Sequence, residues 1–316
     1  MEHITIALLL QQLVNGLSKG SIYALVALGY TMVYGIIELI NFAHGDIFML
    51  GSFTAISVVG VFGINNQQTF LTDPLAVVGV LLVAFPVTML VTGLLGVVIE
   101  RVAYRPLRNA PKLAPLISAI GVSYILQNIG EDWRGPSQIS FPAIFQDNIY
   151  KFAIADGSVI IRSKSILLLI VSVTLMALLT LFVQRTKLGK AMRATALDRD
   201  TAQLMGINVN NTIALTFFIG AALAGAGAIL YGMIIQVVQF QVGFQAGLRA
   251  FTAAVLGGIG NIPGAMLGGF IIGLVEAYSD TFFDTKWTQA VVFLVLIGIL
   301  VFRPSGLLGQ RVAEKV

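Results

Sequence analysis

One short run gathers most of the chain's reactive groups. Glu38-Leu39-Ile40-Asn41-Phe42-Ala43-His44-Gly45-Asp46 brings two acids, an amide and an imidazole together. Such a set can relay a proton, contact a substrate or act as a gate. It can also be a well-capped interfacial turn, with Asn41 capping the next helix and Asp46 held against its positive dipole end. The capped turn is the plainer reading. Elsewhere reactive groups are sparse. The only histidines are His3 and His44, and there is no cysteine, which excludes a disulfide framework, a thiolate metal site and a cysteine nucleophile. No G-x-x-x-x-G-K-[ST] occurs, so no Walker nucleotide site is present. The run Gly257-Gly258-Ile259-Gly260-Asn261-Ile262-Pro263 puts a proline where a dinucleotide fingerprint needs its third glycine. Neither H-E-x-x-H nor G-x-S-x-G is found, which leaves proteolysis and esterase chemistry without their parts. The chain is therefore not expected to be an enzyme, and no cofactor or metal is expected.

The elements that must position this turn follow from composition. Of the 316 residues 57% are hydrophobic and only 11% charged. A soluble protein this poor in charge could not cover its surface with polar groups. The net charge of +4 rests on few residues and forms no basic face, which argues against nucleic-acid binding. Apolar runs long enough to cross a bilayer lie near 18–38, 43–63, 75–99, 113–130, 165–184, 212–235, 263–279 and 287–302. Segments 4–17 and 247–260 are short and ambiguous. The expected fold is all-α: one polytopic transmembrane bundle over 1–316, with about 8–10 spans and one short cytoplasmic helix. The Met-Glu-His start lacks a basic n-region and reads as part of the mature protein.

Orientation follows the Lys/Arg bias. Arg101, Arg105, Arg108 and Lys112, then Arg185, Lys187, Lys190, Arg193 and Arg199, then Arg303, Arg311 and Lys315 mark three cytoplasmic segments. The 130–164 loop then faces outside, with Trp133, Phe141, Phe145, Tyr150 and Phe152 available to meet a soluble partner. For 263–279 to start inside, 247–260 must cross or re-enter. Span centres carry almost no ionisable groups, with Glu38, Glu100 and Glu276 placed towards span ends; this argues against an ion-coupled pump.

Three further patterns stand out. The polar segment 186–211 carries helix-favouring Ala191, Ala194 and Met205 among Arg193 and Asp198, with Gly206 as a stop. It is either a solvated loop helix or a helix that fits a partner's groove. Gly260, Gly264 and Gly268, with Gly269 and Gly273, suit close helix packing first and pore lining second, and Gly16, Gly20, Gly29, Gly220, Gly225, Gly227 and Gly232 read alike. Asn41–Phe53 faintly echoes Asn261–Phe270, as duplicated transporter halves would. Tyr23, Tyr30 and Tyr34 repeat at helical spacing.

Asn15-Gly16, Gly20-Ser21-Ile22-Tyr23-Ala24-Leu25, Gly29-Tyr30-Thr31-Met32-Val33-Tyr34-Gly35 and Ile40-Asn41-Phe42-Ala43-His44-Gly45-Asp46 together resemble the opening of LivH-type permeases, membrane subunits of bacterial ABC importers for branched-chain amino acids. Ala253–Ala265 and the Arg303-Pro304-Ser305-Gly306-Leu307-Leu308-Gly309 ending are similar too, so the resemblance covers nearly the whole chain. It implies a multi-pass protein of the bacterial inner membrane, partnered by a homologous second permease, two cytoplasmic ATPases that bind the ATP, and an external or periplasmic solute-binding protein. It implies that 189–206 holds a coupling helix, drawing on Gly189, Ala191, Arg193, Ala194, Asp198, Leu204, Met205 and Gly206. Gate or pathway candidates are Tyr23, Tyr30, Asn41, His44, Asp46, Gly258, Gly260 and Asn261. The same machine carrying urea or short amides, and a stand-alone channel, remain as alternatives.

Overall fold

A computed structural model describes residues 5–65, 70–111, 113–154 and 157–309. His3, Lys112, Arg311 and Lys315 lie outside the described residues. Helix α1 (Ile6–Ile37) is one continuous rod, so the apolar stretch before Leu17 extends the first span and makes no crossing of its own. Then come α2 (His44–Val61), α3 (Pro74–Ile99) and α4 (Leu113–Arg134). Strands β1 (Ile139–Ser140), β2 (Ile149–Ile154) and β3 (Gly157–Arg162) precede α5 (Ser163–Arg185). Short helices α6 (Lys187–Leu197) and α7 (Arg199–Leu204) lead to α8 (Val209–Ile235), β4 (Val237–Val238), α9 (Val242–Gly257), α10 (Ile262–Phe282) and α11 (Thr285–Phe302). Among the described residues, eight helices are long and apolar enough to span a membrane. The chain is thus a polytopic helical bundle.

Helix starts follow local chemistry. Thr186, Asp198, Asn208 and Asn261 each accept a hydrogen bond from a backbone N–H of the first turn of α6, α7, α8 and α10. Pro74 opens α3 where no N–H is needed. Gly206, at φ 84°, turns the chain out of α7.

The bundle has an inner group and a shell. Helices α1, α2 and α8 are mostly buried, whereas α3, α4, α5 and α11 keep most of their surface open. Small residues let the inner helices approach. A Cβ on Gly20 would lie 2.9 Å from the Gly269 carbonyl oxygen, and one on Gly268 would lie 2.0 Å from that of Ala253. The glycines of α10 therefore serve two faces: Gly264 and Gly268 meet α9, and Gly269 and Gly273 meet α1. Gly260 lies before α10 in the turn, not on its face.

The two ends of the bundle differ. At one end the β2–β3 hairpin stands over α1, where Gln11 bonds Ile160 through both its amide groups, and β1 pairs antiparallel with β4. The 130–164 segment is thus partly β, an exception to the all-α expectation. The other end collects Arg105, Arg108 and Arg199 around one cavity of about 660 Å³.

An inverted repeat organises the inner group. Helices α1 and α8 are closed by Glu38 (φ 55°) and Gln236 (φ 61°), both left-handed, and in each case six residues, 38–43 and 236–241, lead to a new helix, α2 at His44 and α9 at Val242. One separation, 198 residues, relates both pairs. The directions are opposite: α1 ends at the basic end, where Arg199 donates to the Ile36 carbonyl, and α8 ends at the hairpin end beside Phe141. The echo noted between Asn41–Phe53 and Asn261–Phe270 therefore does not align the repeating units; the counterpart of 38–46 is 236–244.

Candidate functional site

The N-termini of α2 and α9 meet inside the protein. A Cβ on Gly45 would come within 2.3 Å of the Gly243 carbonyl oxygen, and one on Gly243 within 2.5 Å of that of Gly45. The contact sits level with the middle of α4, because Ser123, halfway along α4, donates to Asp46 at 2.5 Å. Both helices thus begin part-way through the bundle, and 242–257 is a short descending half-helix, which resolves the ambiguous 247–260 segment. Neither α2 nor α9 has a side-chain N-cap. Asn41 does not cap α2: its side chain accepts from the Tyr104 hydroxyl at 3.1 Å, and Ala43 holds the cap position.

The 38–46 turn is packed shut. Asn41, His44 and Asp46 are all buried, and the His44 ring lies over Gly29 and edge-on to Tyr30, with ring centroids 4.7 Å apart. Among the described residues His44 Nε2, Asp46 Oδ1 and Asn41 Nδ2 have no hydrogen-bond partner. Tyr30, His44 and Asp46 thus form one cluster. The other gate candidates do not join it. Gly258 (φ 107°) and Gly260 (φ 88°) shape the α9–α10 turn at the basic end, where Asn261 caps α10 and its Nδ2 donates to Leu308 at 2.7 Å. The 303–309 segment straps this turn: the Leu307 and Leu308 amides donate to the carbonyls of Leu256 and Gly257.

Tyr23 belongs to a charged network that composition hides. Its hydroxyl donates to Glu276 at 2.7 Å. Glu276 also pairs with Lys19 at 3.2 Å and Arg249 at 3.3 Å, and Lys19 reaches Asp280 at 2.7 Å. Thr288 donates to the other oxygen of Asp280. Two cations and two carboxylates from α1, α9 and α10 therefore neutralise one another within the bundle, and Glu276 is not a span-end group. Charges at this depth are costly unless paired and are by default functional candidates. The usable signal was the spacing Glu276–Asp280, one helical turn on one face of α10. Lys19 stands at the start of the 18–38 run, and Arg249 in the short, ambiguous 247–260 segment. Glu100 also proves buried, bonded by Arg105 (2.9 Å) and Arg108.

The 186–211 segment folds into α6 and α7. Met192, Thr195 and Ala202 seat it against the bundle, and Gly189 packs so closely that a Cβ would meet the Val183 carbonyl at 2.3 Å. Ala191 and Ala194 are half-buried. Arg193 is exposed and donates to the Gln184 carbonyl, and Asp198 caps α7. The outward face carries Leu197, Leu204 and Met205, exposed at 82%, 87% and 79%.

The family described as "Branched-chain amino acid transport system / permease component" matches residues 12–300. The chain is 48% identical to the high-affinity branched-chain amino acid transport system permease protein BraD of Pseudomonas aeruginosa, covering 97% of this chain and 98% of that one. It is 43% identical to the corresponding protein LivH of Escherichia coli K12, with 97% of each covered. A probable branched-chain amino acid transport permease protein of Methanocaldococcus jannaschii is 28% identical over 92% of this chain and 89% of its own. No solved structure matches the chain.

Proposed function

The chain belongs to the branched-chain amino acid transport system permease family, and on that premise we propose that it is the membrane-spanning permease subunit of a bacterial ABC importer for leucine, isoleucine, valine or related neutral amino acids. It sits in the inner membrane with its arginine-rich end in the cytoplasm. A homologous second permease completes the path, two ATPases bind and hydrolyse the ATP, and a solute-binding protein delivers substrate at the hairpin end. The α6–α7 pair is the coupling element. The observation that carries this reading is the apolar tip of that pair: Leu197, Leu204 and Met205 face away from a body that holds the pair through Met192, Thr195 and Ala202. Exposed apolar residues on a polar helix mark a surface that a partner covers. Hairpin residues Tyr150 and Phe152, about half exposed, offer the matching contact on the outer side.

The test is solute-stimulated ATP hydrolysis by the reconstituted complex, with leucine, alanine and urea compared. Leucine stimulates most under this reading. Stimulation by urea alone would assign the urea and amide alternative, and conduction by the purified permease without ATPases would assign the channel. Leu204→Glu with Met205→Glu abolishes both ATPase retention and uptake while leaving the permease in the membrane.

A further inference from the structure

A cavity of about 330 Å³ opens at the hairpin end between α1, α5, α8 and α10. Its size is that of a small-ligand pocket. We propose that it binds the head group of a zwitterionic amino acid with an aliphatic side chain. The inference rests on the permease reading and adds to it a site within this one chain.

The lining carries both signs of charge: the cations Lys19, Arg162 and Lys164 and the carboxylates Asp147 and Asp280, with Arg162 3.9 Å from Asp147. Lys19 of α1 faces Asp280 of α10. Lys164 at the start of α5 stands beside Asp147, whose Oδ1 accepts from Ser163 Oγ at 3.1 Å and from the Lys164 amide at 3.3 Å. Lys164 is 5% exposed, so its ammonium is held inside the structure and not spread over a surface. Ile234 and Ile235 add apolar surface to the lining.

Each feature selects. A carboxylate is met by the lysine ammonium groups, and an α-ammonium by Asp147 or Asp280; these are charge-assisted hydrogen bonds, the strong kind. The isoleucines take an aliphatic side chain. A simple anion or a simple amine draws one partner out of these ion pairs and offers nothing to the other, so such analogues bind less well than the zwitterion. Urea satisfies neither. The cavities at the basic end differ, since Arg105, Arg108 and Arg199 dominate the larger of them. Lys19 belongs to both the cavity and the Glu276 network, so a carboxylate drawn to Lys19 competes with Glu276 and Asp280 for it. Occupancy is thereby felt at Arg249 and α9.

The absence of cysteine makes a clean test possible. Ser165, which lines the cavity, is replaced by Cys in the full complex with its second permease, ATPases and binding protein, in sealed vesicles. A membrane-impermeant methanethiosulfonate labels it, and the label on this chain is read by mass. Leucine slows labelling several-fold; isovalerate, isopentylamine and urea do not. In Ser165→Cys/Lys164→Gln, the leucine concentration needed for protection rises about tenfold or more, as expected for one lost charge-assisted hydrogen bond. Equal labelling with and without leucine, in vesicles that still take up leucine, overturns the site and leaves the permease reading standing. No uptake of any amino acid by the unsubstituted complex overturns the permease reading itself. Equal protection by isovalerate or isopentylamine shows a one-signed site and also overturns the proposal.

Discussion

Residues 38–46 and 236–244 follow the same backbone path in opposite directions, yet they are fastened differently. The first turn is bolted by neutral groups: Tyr104 to Asn41, Ser123 to Asp46 and the His44 ring on Gly29. Asn41, His44 and Asp46 are buried, while Glu38 at the start of the turn is exposed. The second turn has Gln239, Val242 and Phe244 at the places of Asn41, His44 and Asp46; Val242 is buried like His44, but Phe244 is exposed, as are its neighbours Gln241 and Gln245. Its helix is held instead by an ion pair further along, Arg249 to Glu276. A repeated scaffold has thus kept its crossing point and separated its chemistry. One half-helix is fixed to the shell helices α3 and α4. The other is tied to the charged network that borders the outer cavity. The candidates read from the sequence as a gate, Asn41, His44 and Asp46, lie in the fixed half, where their role in packing is evident.

The largest effect follows from cutting the tie of the second half. Glu276→Leu leaves Arg249 without its carboxylate and Lys19 with only Asp280. Breaking a buried pair by removing one partner costs about 3–5 kcal/mol. Thermal unfolding of the purified complex should show it, and adding Arg249→Met should recover part of the loss. A Glu276→Leu protein as stable as the parent would mean that the ion pair does not hold α9.

The crossing point tests the symmetry itself. Gly45→Val and Gly243→Val each drive a side chain into the other helix's carbonyl. Overpacking of this kind costs about 2–3 kcal/mol, and the two substitutions should cost nearly the same. A large difference between them would show that the repeat is uneven even at its axis.

Cutting the bolt of the first half costs less. Asp46→Ala leaves the Ser123 hydroxyl without its acceptor inside the bundle, a loss of about 1–3 kcal/mol. Asp46→Asn keeps an acceptor oxygen and should recover most of it. If Asp46→Ala abolishes uptake while stability stays unchanged, Asp46 is a pathway residue and not a fastening.

These contrasts also explain what the sequence disclosed. Span positions were legible because the apolar runs, 16 to 25 residues long, come close to or exceed the length of about 20 that a crossing needs. The coupling segment was legible because it is too polar to span and lies among basic residues. The second half-helix was not, since α9 is short and carries Arg249. The charged network was hidden for a related reason: its four charges come from three helices, and only their mutual proximity makes burial tolerable. A hydropathy reading puts Glu276 towards a span end and does not join it to Lys19, Arg249 or Asp280. The hairpin was hidden because its two six-residue strands are short beside the spans that flank them.

The smallest effect belongs to the free face of the second turn. Gln245 occupies the place that Ile47 fills in the first, and it is exposed where Ile47 is fully buried. Gln245→Ala should therefore change stability by no more than about 0.5 kcal/mol, as at other surface positions. Ile47→Ala, its counterpart, deletes a core side chain and should cost about 2–5 kcal/mol. The informative measurement is uptake. Gln245 borders a small pocket between α9 and α11 together with Arg249. If the second half-helix carries the moving chemistry, Gln245→Ala lowers uptake without lowering stability, whereas Ile47→Ala lowers both together. Equal, stability-linked losses at the two positions would return the two turns to one role, that of packing.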